Sequence, residues 1–227
     1  MLSFKELFQT KKLPLIMSLP KNDAEWCRAA FEAGADAVKV HINLHHNAGG
    51  EDLGDYQENE RVFEKMMGEA KGPMGIVPGA SPEAILKDID KVKSSGFDFV
   101  SFYTKHMPVS ALQINQTLMA ACDAGFSADE IKTYESLDAG VLEASVIPSS
   151  EYGSPLTFRD LATYKTIASC MSLPVVVPTQ RCIKPEDVPF LAQTGIRGIM
   201  IGAIVTGKTL DGIVKAVLAF REAIDAL

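Results

Sequence analysis

Short apolar runs alternate with longer stretches of mixed polarity along the whole chain. Three segments show the repeating unit: LPLIMSLPKNDAEWCRAAFEAGADAVKV from position 13, GPMGIVPGASPEAILKDIDKVKSSGFDFVSFY from 72, and LPVVVPTQRCIKPEDVPFLAQTGIRGIMIG from 173. Each reads as an apolar run, a polar turn, a helix ending at glycine, and another apolar run. Asn22 and Asp23, Ser81-Pro82-Glu83, and Lys184-Pro185-Glu186 mark helix starts, because caps and prolines suit positions whose N–H groups lack partners. Gly34, Gly96 and Gly195 are the expected stops, as left-handed residues that close the last turn. Ile85, Ile89 and Val92 share a face at helical spacing, whereas the flanking apolar runs are too short to be helices.

Strands alternating with helices at this period predict parallel pairing through right-handed crossovers. Strands are expected at 14–19, 37–43, 74–78, 98–104, 117–122, 140–147, 174–179 and 197–202, with helices between all of them and a last helix in TLDGIVKAVLAFREAIDAL. Eight such units favour a closed α/β architecture, a (β/α)8 TIM barrel, over an open doubly wound sheet. No linker divides the chain, so residues 1–227 are expected to form a single domain. The longest polar loop, LHHNAGGEDLGDYQ, follows the second strand on the face where such barrels keep their sites.

Alternation along the strands selects the side chains that face the barrel axis. In AVKVHIN, the apolar Val38, Val40 and Ile42 belong outside, leaving Lys39, His41 and Asn43 inside. In GVLEASVIP, Leu142, Ala144 and Val146 belong outside, leaving Glu143 and Ser145 inside. Ser101, Tyr103 and Lys105 form the expected inward set of the fourth strand, with His106 beside them. A lysine and a glutamate inside a barrel are costly unless paired, hydrated or used. Either they form an ion pair that merely fills the barrel, or Lys39 and Glu143 are an acid/base pair, or Lys39 is an amine able to form a Schiff base. His41, nearer the mouth, is a candidate proton shuttle or a passive hydrogen-bonding wall.

Composition and charge narrow the partners. Apolar residues make up 47% of the chain, enough for one sizeable core, and 29 acidic against 22 basic residues give a net charge of −7. No basic footprint for nucleic acid follows from that balance, and no apolar stretch approaches the ~18 residues of a membrane helix. A cytoplasmic protein is the expectation. Cys27, Cys122, Cys170 and Cys182 lack C-x-x-C spacing and are read as reduced, mostly buried small hydrophobes. His45 and His46 raise the idea of a metal, but no carboxylate stands beside them at a clear ligand spacing; neither a metal nor another cofactor is expected. Barrels of this kind often self-associate, so a homo-oligomer is compatible with the sequence, although no exposed apolar stripe argues for a particular dimer.

The last two strand ends suggest an anion site. The seventh runs into Pro178-Thr179-Gln180-Arg181-Cys182, and the eighth ends in Ile201-Gly202-Ala203. Loops at these places commonly bind phosphate in TIM barrels, with a glycine, backbone N–H groups and a helix start, and Arg181 would add a planar cation. Arg181, Cys182, Gly202 and Ala203 are therefore the phosphate candidates, and Ser18, Asn43, Tyr103, Ser145 and Gln180 the other substrate contacts; a plain turn with a surface arginine is the bland alternative. Residues 202–209, GAIVTGKT, match the P-loop pattern literally. That reading is rejected, since Ala-Ile-Val-Thr is bulky where a phosphate cradle wants glycine, and the short stretch after Thr209 holds no further strand for a Walker-B acid.

At these residues the chain resembles the ribulose-phosphate-binding barrel superfamily, and within it the N-acetylmannosamine-6-phosphate 2-epimerases. Leu15-Ile16-Met17-Ser18 is similar to that family's first strand, Gly34-Ala35-Asp36-Ala37-Val38-Lys39 to the approach to its second, and Arg181 with Pro185-Glu186 to its seventh-strand loop. Gly202-Ala203-Ile204 resembles the phosphate turn of the eighth. Lys39 stands where the family shows an inward arginine, and His41 where it shows an asparagine. The resemblance implies an isomerase that moves a proton next to the carbonyl of a phosphorylated sugar or amino sugar. The chain departs from it at Thr179, where the family has its catalytic glutamate, and at Gly75-Ile76-Val77-Pro78-Gly79, which lacks its catalytic lysine. A small phosphorylated metabolite is the expected ligand; a Schiff-base aldolase or lyase, and a non-catalytic phosphosugar-binding barrel, are the competing readings.

Overall fold

The computed structural model describes residues 2–46 and 48–227. Eight parallel strands close into a ring: β1 (Leu15–Ser18), β2 (Ala37–His41), β3 (Met74–Val77), β4 (Phe99–Tyr103), β5 (Thr117–Cys122), β6 (Ala139–Ala144), β7 (Val175–Pro178) and β8 (Gly198–Ile201). Each pairs with its sequence neighbours, and β8 returns to β1 through Leu15 opposite Ile199 and Met17 opposite Ile201. Every strand falls inside or within one residue of the range expected from the apolar runs. The barrel follows because each run is buried on both sides, against the helices outside and its fellow strands inside.

The helical shell is α1 (Phe4–Thr10), α2 (Ala24–Glu32), α3 (Tyr56–Glu69), α4 (Pro82–Ser94), α5 (Ala128–Ile131), α6 (Phe158–Ser169), α7 (Val188–Ala192), α8 (Ala203–Thr206) and α9 (Leu210–Asp225). Asp23 caps α2 by accepting from the amides of Glu25 and Trp26, and Ser81 caps α4 ahead of Pro82. Gly34 and Gly195 are left-handed as expected, at φ 109° and 90°. Gly96 is not; Ser95 ends α4 in extended backbone, so no left-handed residue is needed there.

One expectation about connections fails. Between β4 and β5 there is no α-helix, only single 3-10 turns at Thr104–His106 and Val109–Leu112, since Pro108 interrupts the segment. Lys105 therefore leaves the strand and pairs with Asp123 at 2.7 Å instead of facing the axis. The long polar loop after β2 has structure of its own. It holds an antiparallel hairpin of Leu44–His46 with Glu51–Leu53.

The barrel interior is layered. Its lower layer is apolar, with Ile16, Ala37, Phe99, Met119, Val141, Val176 and Met200 buried together against Phe4, Leu7 and Phe8 of α1. That helix begins in a capping box between Ser3 and Glu6 and closes the floor. Phe4 stacks on Phe99 with ring centroids 3.7 Å apart and planes within 11°. Glycine at position 75 makes room for this, because a Cβ there would come within 2.1 Å of the Phe99 ring. Burial of each phenylalanine contributes on the order of 2 kcal/mol. Polar side chains thus appear only above this layer, at the C-terminal ends of the strands.

Candidate active site

Above the apolar floor lies a cavity of about 190 Å³. Lys39 and His41 enter it from β2, Ser101 and Tyr103 from β4, Glu143 and Ser145 from β6, and Ser18 from β1. Strand alternation places them all there, while Val38, Val40, Leu142 and Ala144 pack outward against the helices.

Lys39 Nζ donates to Glu143 Oε2 at 2.9 Å, and both side chains are nearly sealed, at 5% and 7% exposure. Ser101 Oγ donates to the same oxygen at 2.9 Å, and Ser145 Oγ donates to Oε1 at 2.9 Å. A carboxylate offers about four lone-pair positions. Three are taken, and the remaining one is on Oε1. The strands β2 and β6 are diametrically opposed in the ring, so this ion pair spans the barrel.

His41 Nε2 stands 3.4 Å from Ser18 Oγ, and its Nδ1 is buried without a hydrogen-bond partner. Burial, with the nearby His46 and Lys39, holds its pKa well below the ordinary imidazole value, so the ring is neutral at pH 7. Burial does the same to His46, pushed down to about 4 with help from Lys39, His45 and Lys208. The two rings lie 4.5 Å apart, centroid to centroid. Tyr103 is driven in the other direction: burial, then the neighbouring Tyr152 and Glu143, raise its phenol far above its usual value, so it remains a protonated donor. Gln180 also lines the cavity, but its amide braces the β6 loop, accepting from the Ile147 amide at 3.1 Å and donating to Tyr152 Oη at 2.8 Å.

Several expected contacts lie elsewhere. Asn43 follows the end of β2 in left-handed backbone, at φ 55°, and its amide turns outward to Asp88 Oδ2 at 2.9 Å and the Pro78 carbonyl. Arg181 does not reach the cavity. Its guanidinium grips Asp160 through Nε at 3.0 Å and Nη2 at 3.1 Å, and it also reaches Glu151 at 2.7 Å and Ser154. With those partners in place the fork is committed to holding the β6 and β7 loops together. Cys182 is likewise outside, its amide donating to the Ser154 carbonyl at 2.8 Å. The Gly202 amide is taken by Thr179 Oγ1 at 3.0 Å, which ties the ends of β7 and β8. Of the phosphate candidates, Gly202 and Ala203 border the cavity, and the first-turn amides of Ala203 and Ile204 have no partner within α8.

His45 pairs with Asp52 across the hairpin at 2.7 Å, a carboxylate that sequence spacing did not single out. Among the described residues, no three His, Cys, Asp or Glu side chains converge as a metal site would require. All four cysteines are free thiols; Cys27 and Cys122 are fully buried and pushed up to about 12 mainly by that burial, whereas Cys170 and Cys182 are half-buried. Among the described residues, no helix is long and apolar enough to cross a membrane. Cavity residues that sequence reasoning missed include Leu44, Ala48, Ala80, Ala121 and Tyr152, while the sequence marks His46 only as a metal candidate and Thr179 only as a departure from the family pattern. The Gly49-Gly50 pair after His46 was the available signal for a tight turn that could fold the loop back over the mouth.

No protein-family model matches this chain, and no curated protein matches it in sequence. Solved structures do. A mutant form of the tryptophan synthase α-subunit of Pyrococcus furiosus superposes over 92% of this chain and 98% of its own with a TM-score of 0.73 at 14% identity. This is a TIM barrel. The thiamine phosphate pyrophosphorylase of Pyrococcus furiosus matches this barrel over 95% of the chain and 97% of its own, with a TM-score of 0.63 at 18% identity. A native KDPGal structure matches over 96% and 97%, with a TM-score of 0.67 at 17% identity. At these identities the likeness is one of fold.

Proposed function

We propose that this TIM barrel is an enzyme that moves a proton next to the carbonyl of a small phosphorylated compound, an isomerase or epimerase of a phosphorylated sugar or amino sugar. The 2.9 Å contact between Lys39 and Glu143 on the cavity wall carries this reading. Glu143 is the base, acting through the free position on Oε1, while Ser101 and Ser145 hold the carboxylate in place. As the C–H bond breaks, its electrons pass to the carbonyl oxygen, and the Lys39 ammonium stabilises the enolate oxygen. Return of the proton to either carbon or either face gives the product. His41 and Tyr103, both uncharged at neutral pH, are donors to the hydroxyls of such a substrate. The names of two structural neighbours, thiamine phosphate pyrophosphorylase and tryptophan synthase, support an enzyme without favouring an isomerase.

A Schiff-base lyase is the second reading, favoured by an amine enclosed in a cavity with a carboxylate at hydrogen-bond distance. One experiment separates the two. A panel of phosphorylated ketoses and aldoses is incubated with the protein in D2O and followed by proton NMR, with parallel samples reduced by borohydride. Exchange of the hydrogen next to the carbonyl, lost in Glu143→Gln, supports the isomerase. Reductive labelling of Lys39 with cleavage of a carbon–carbon bond replaces it with the lyase. Neither signal with any member of the panel overturns both.

A further inference from the structure

The hairpin after β2 brings its own chemistry to the cavity mouth. His46 accepts from the Gly49 amide at Nδ1, at 2.8 Å, so in the neutral ring the proton sits on Nε2. Nδ1 is thereby committed to the turn, and Nε2–H is left for something else. Position 49 has to be glycine for this geometry, since a Cβ would come within 2.5 Å of Nδ1 and 2.9 Å of the Pro20 carbonyl. The turn closes with the Gly50 amide donating to the His46 carbonyl at 2.6 Å.

A cation stands next to it. Lys208 places Nζ where a Cβ on Gly50 would be 2.9 Å away, and its charge is felt by His46. Among the described residues Lys208 forms no ion pair within 4.0 Å. This lysine belongs to the GAIVTGKT stretch set aside as a P-loop decoy, and it approaches the mouth from the far end of α8, opposite the hairpin. Beneath both, the buried Nδ1 of His41 is also without a partner. His46 lines the cavity, and the Lys208 ammonium lies outside its lining, beside the Gly50 turn; a half-buried donor with a locked proton and a neighbouring cation are the chemistry an oxyanion needs.

We propose that the hairpin is the anion-recognition element of this barrel: His46, through Nε2–H, and Lys208 hold an oxyanion of the ligand, the role that Arg181 is unable to fill. The inference rests on the reading of the cavity as a site for a phosphorylated carbonyl compound, and names the groups that hold its charged end. Because the imidazole is uncharged, the grip on the anion does not depend on acidification. The groups facing His46 are His41 and Lys39 of β2, His45 of its own strand, and Lys208.

The test uses inorganic sulfate, which stays a dianion across the working range, titrated calorimetrically into the full chain. His46→Leu is expected to weaken binding about ten- to a hundredfold, and Lys208→Met about tenfold. His46→Gln, which keeps an N–H near the Nε2 position, is expected to lose less than about threefold. Since His46→Leu also strips the Gly49 amide of its acceptor, urea melts accompany each variant and the Gln form guards against misfolding. Nitrogen-15 NMR of the imidazoles is expected to show His46 protonated on Nε2 from pH 6 to 8, with that signal shifting as sulfate binds. Sulfate affinity unchanged in both His46→Leu and Lys208→Met, a proton on Nδ1, or no sulfate binding at all overturns the inference. Sulfate bound through His46 by a chain that exchanges no carbonyl-adjacent hydrogen leaves it standing and removes the isomerase instead. Exchange without sulfate binding does the reverse.

Discussion

Among the described residues two ion pairs are buried on both sides, built to nearly the same dimensions. Lys39 and Glu143 lie 2.9 Å apart, Arg181 and Asp160 3.0 Å. They differ in what is left over. Four of the five N–H groups of Arg181 are engaged by Asp160, Glu151 and Ser154, none of them facing the cavity, and Asp160 is further tied to Thr157 within the cap of α6. Lys39 and Glu143 face a cavity, and Oε1 of the carboxylate retains an unused lone pair. A buried charge pair is weak evidence for function when every donor and acceptor is satisfied, and stronger evidence when solvent space and a free position adjoin it.

The difference breaks most sharply in activity. Glu143→Gln keeps the shape but removes the base, so turnover is expected to fall about 10³-fold or more, equivalent to about 4 kcal/mol at the barrier, and because it leaves the buried Lys39 ammonium without its counter-charge the urea midpoint falls as well. Arg181→Ala is expected to affect stability alone. It strands Asp160 in the core, costing about 3–5 kcal/mol in urea unfolding, while the activity of each folded molecule is retained. If Arg181→Ala instead abolishes turnover in a stably folded chain, the division between the two pairs collapses.

Acid sharpens the same comparison. His41 and His46 have folded pKa values below the unfolded imidazole value, so the unfolded chain binds more protons as pH falls through 6.5. Their neutral burial is fully compatible with the fold above pH 6.5. Below it stability declines, by up to about 2.7 kcal/mol per pH unit while both take up protons only on unfolding, and His46 stops contributing near pH 4. Asp160 behaves in another window. Burial raises its carboxyl, but hydrogen bonds from Arg181 and Thr157 outweigh that and hold it below the usual range. The stability it supplies is therefore present above the unfolded carboxylate pKa and lost only as pH drops beneath about 4. Urea titrations at pH 7.5, 5.5 and 4.5 check the order, and His46→Gln is expected to lower the slope between pH 6 and 4.5 by about one proton. The smallest effect is expected at Cys182. Its backbone, not its thiol, is engaged, so Cys182→Ala should leave stability within about 0.5 kcal/mol and sulfate binding unchanged.

Strand alternation explains why so much of this was legible in the chain. Apolar runs placed all eight strands, and the parity of AVKVH and GVLEAS put Lys39, His41, Glu143 and Ser145 on the axis. Parity fails where the strand stops: Asn43 and Lys105 lie beyond the last ladder residue, where backbone turns and local partners decide direction. Arg181 failed for a different reason. Its partner Asp160 is 21 residues away in the chain, in the first turn of α6, and nothing local marks the pairing. The N-terminal helix and its capping box between Ser3 and Glu6 went unread, and without the Phe99 ring opposite it the sequence offered no reason to seat α1 under the barrel.

The closing seam between β1 and β8 has a consequence for how the molecule comes to exist. Leu15 must meet Ile199, and the floor helix seats on side chains drawn from every strand but β3, from β1 at one end of the chain to β8 at the other. Contacts so distant along the chain carry a large loop-closure cost and slow the approach to the native state. A ribosome-bound chain that has not yet exposed its eighth strand has no sealed floor, and hence no dry chamber in which an amine and a carboxylate could be held against one another.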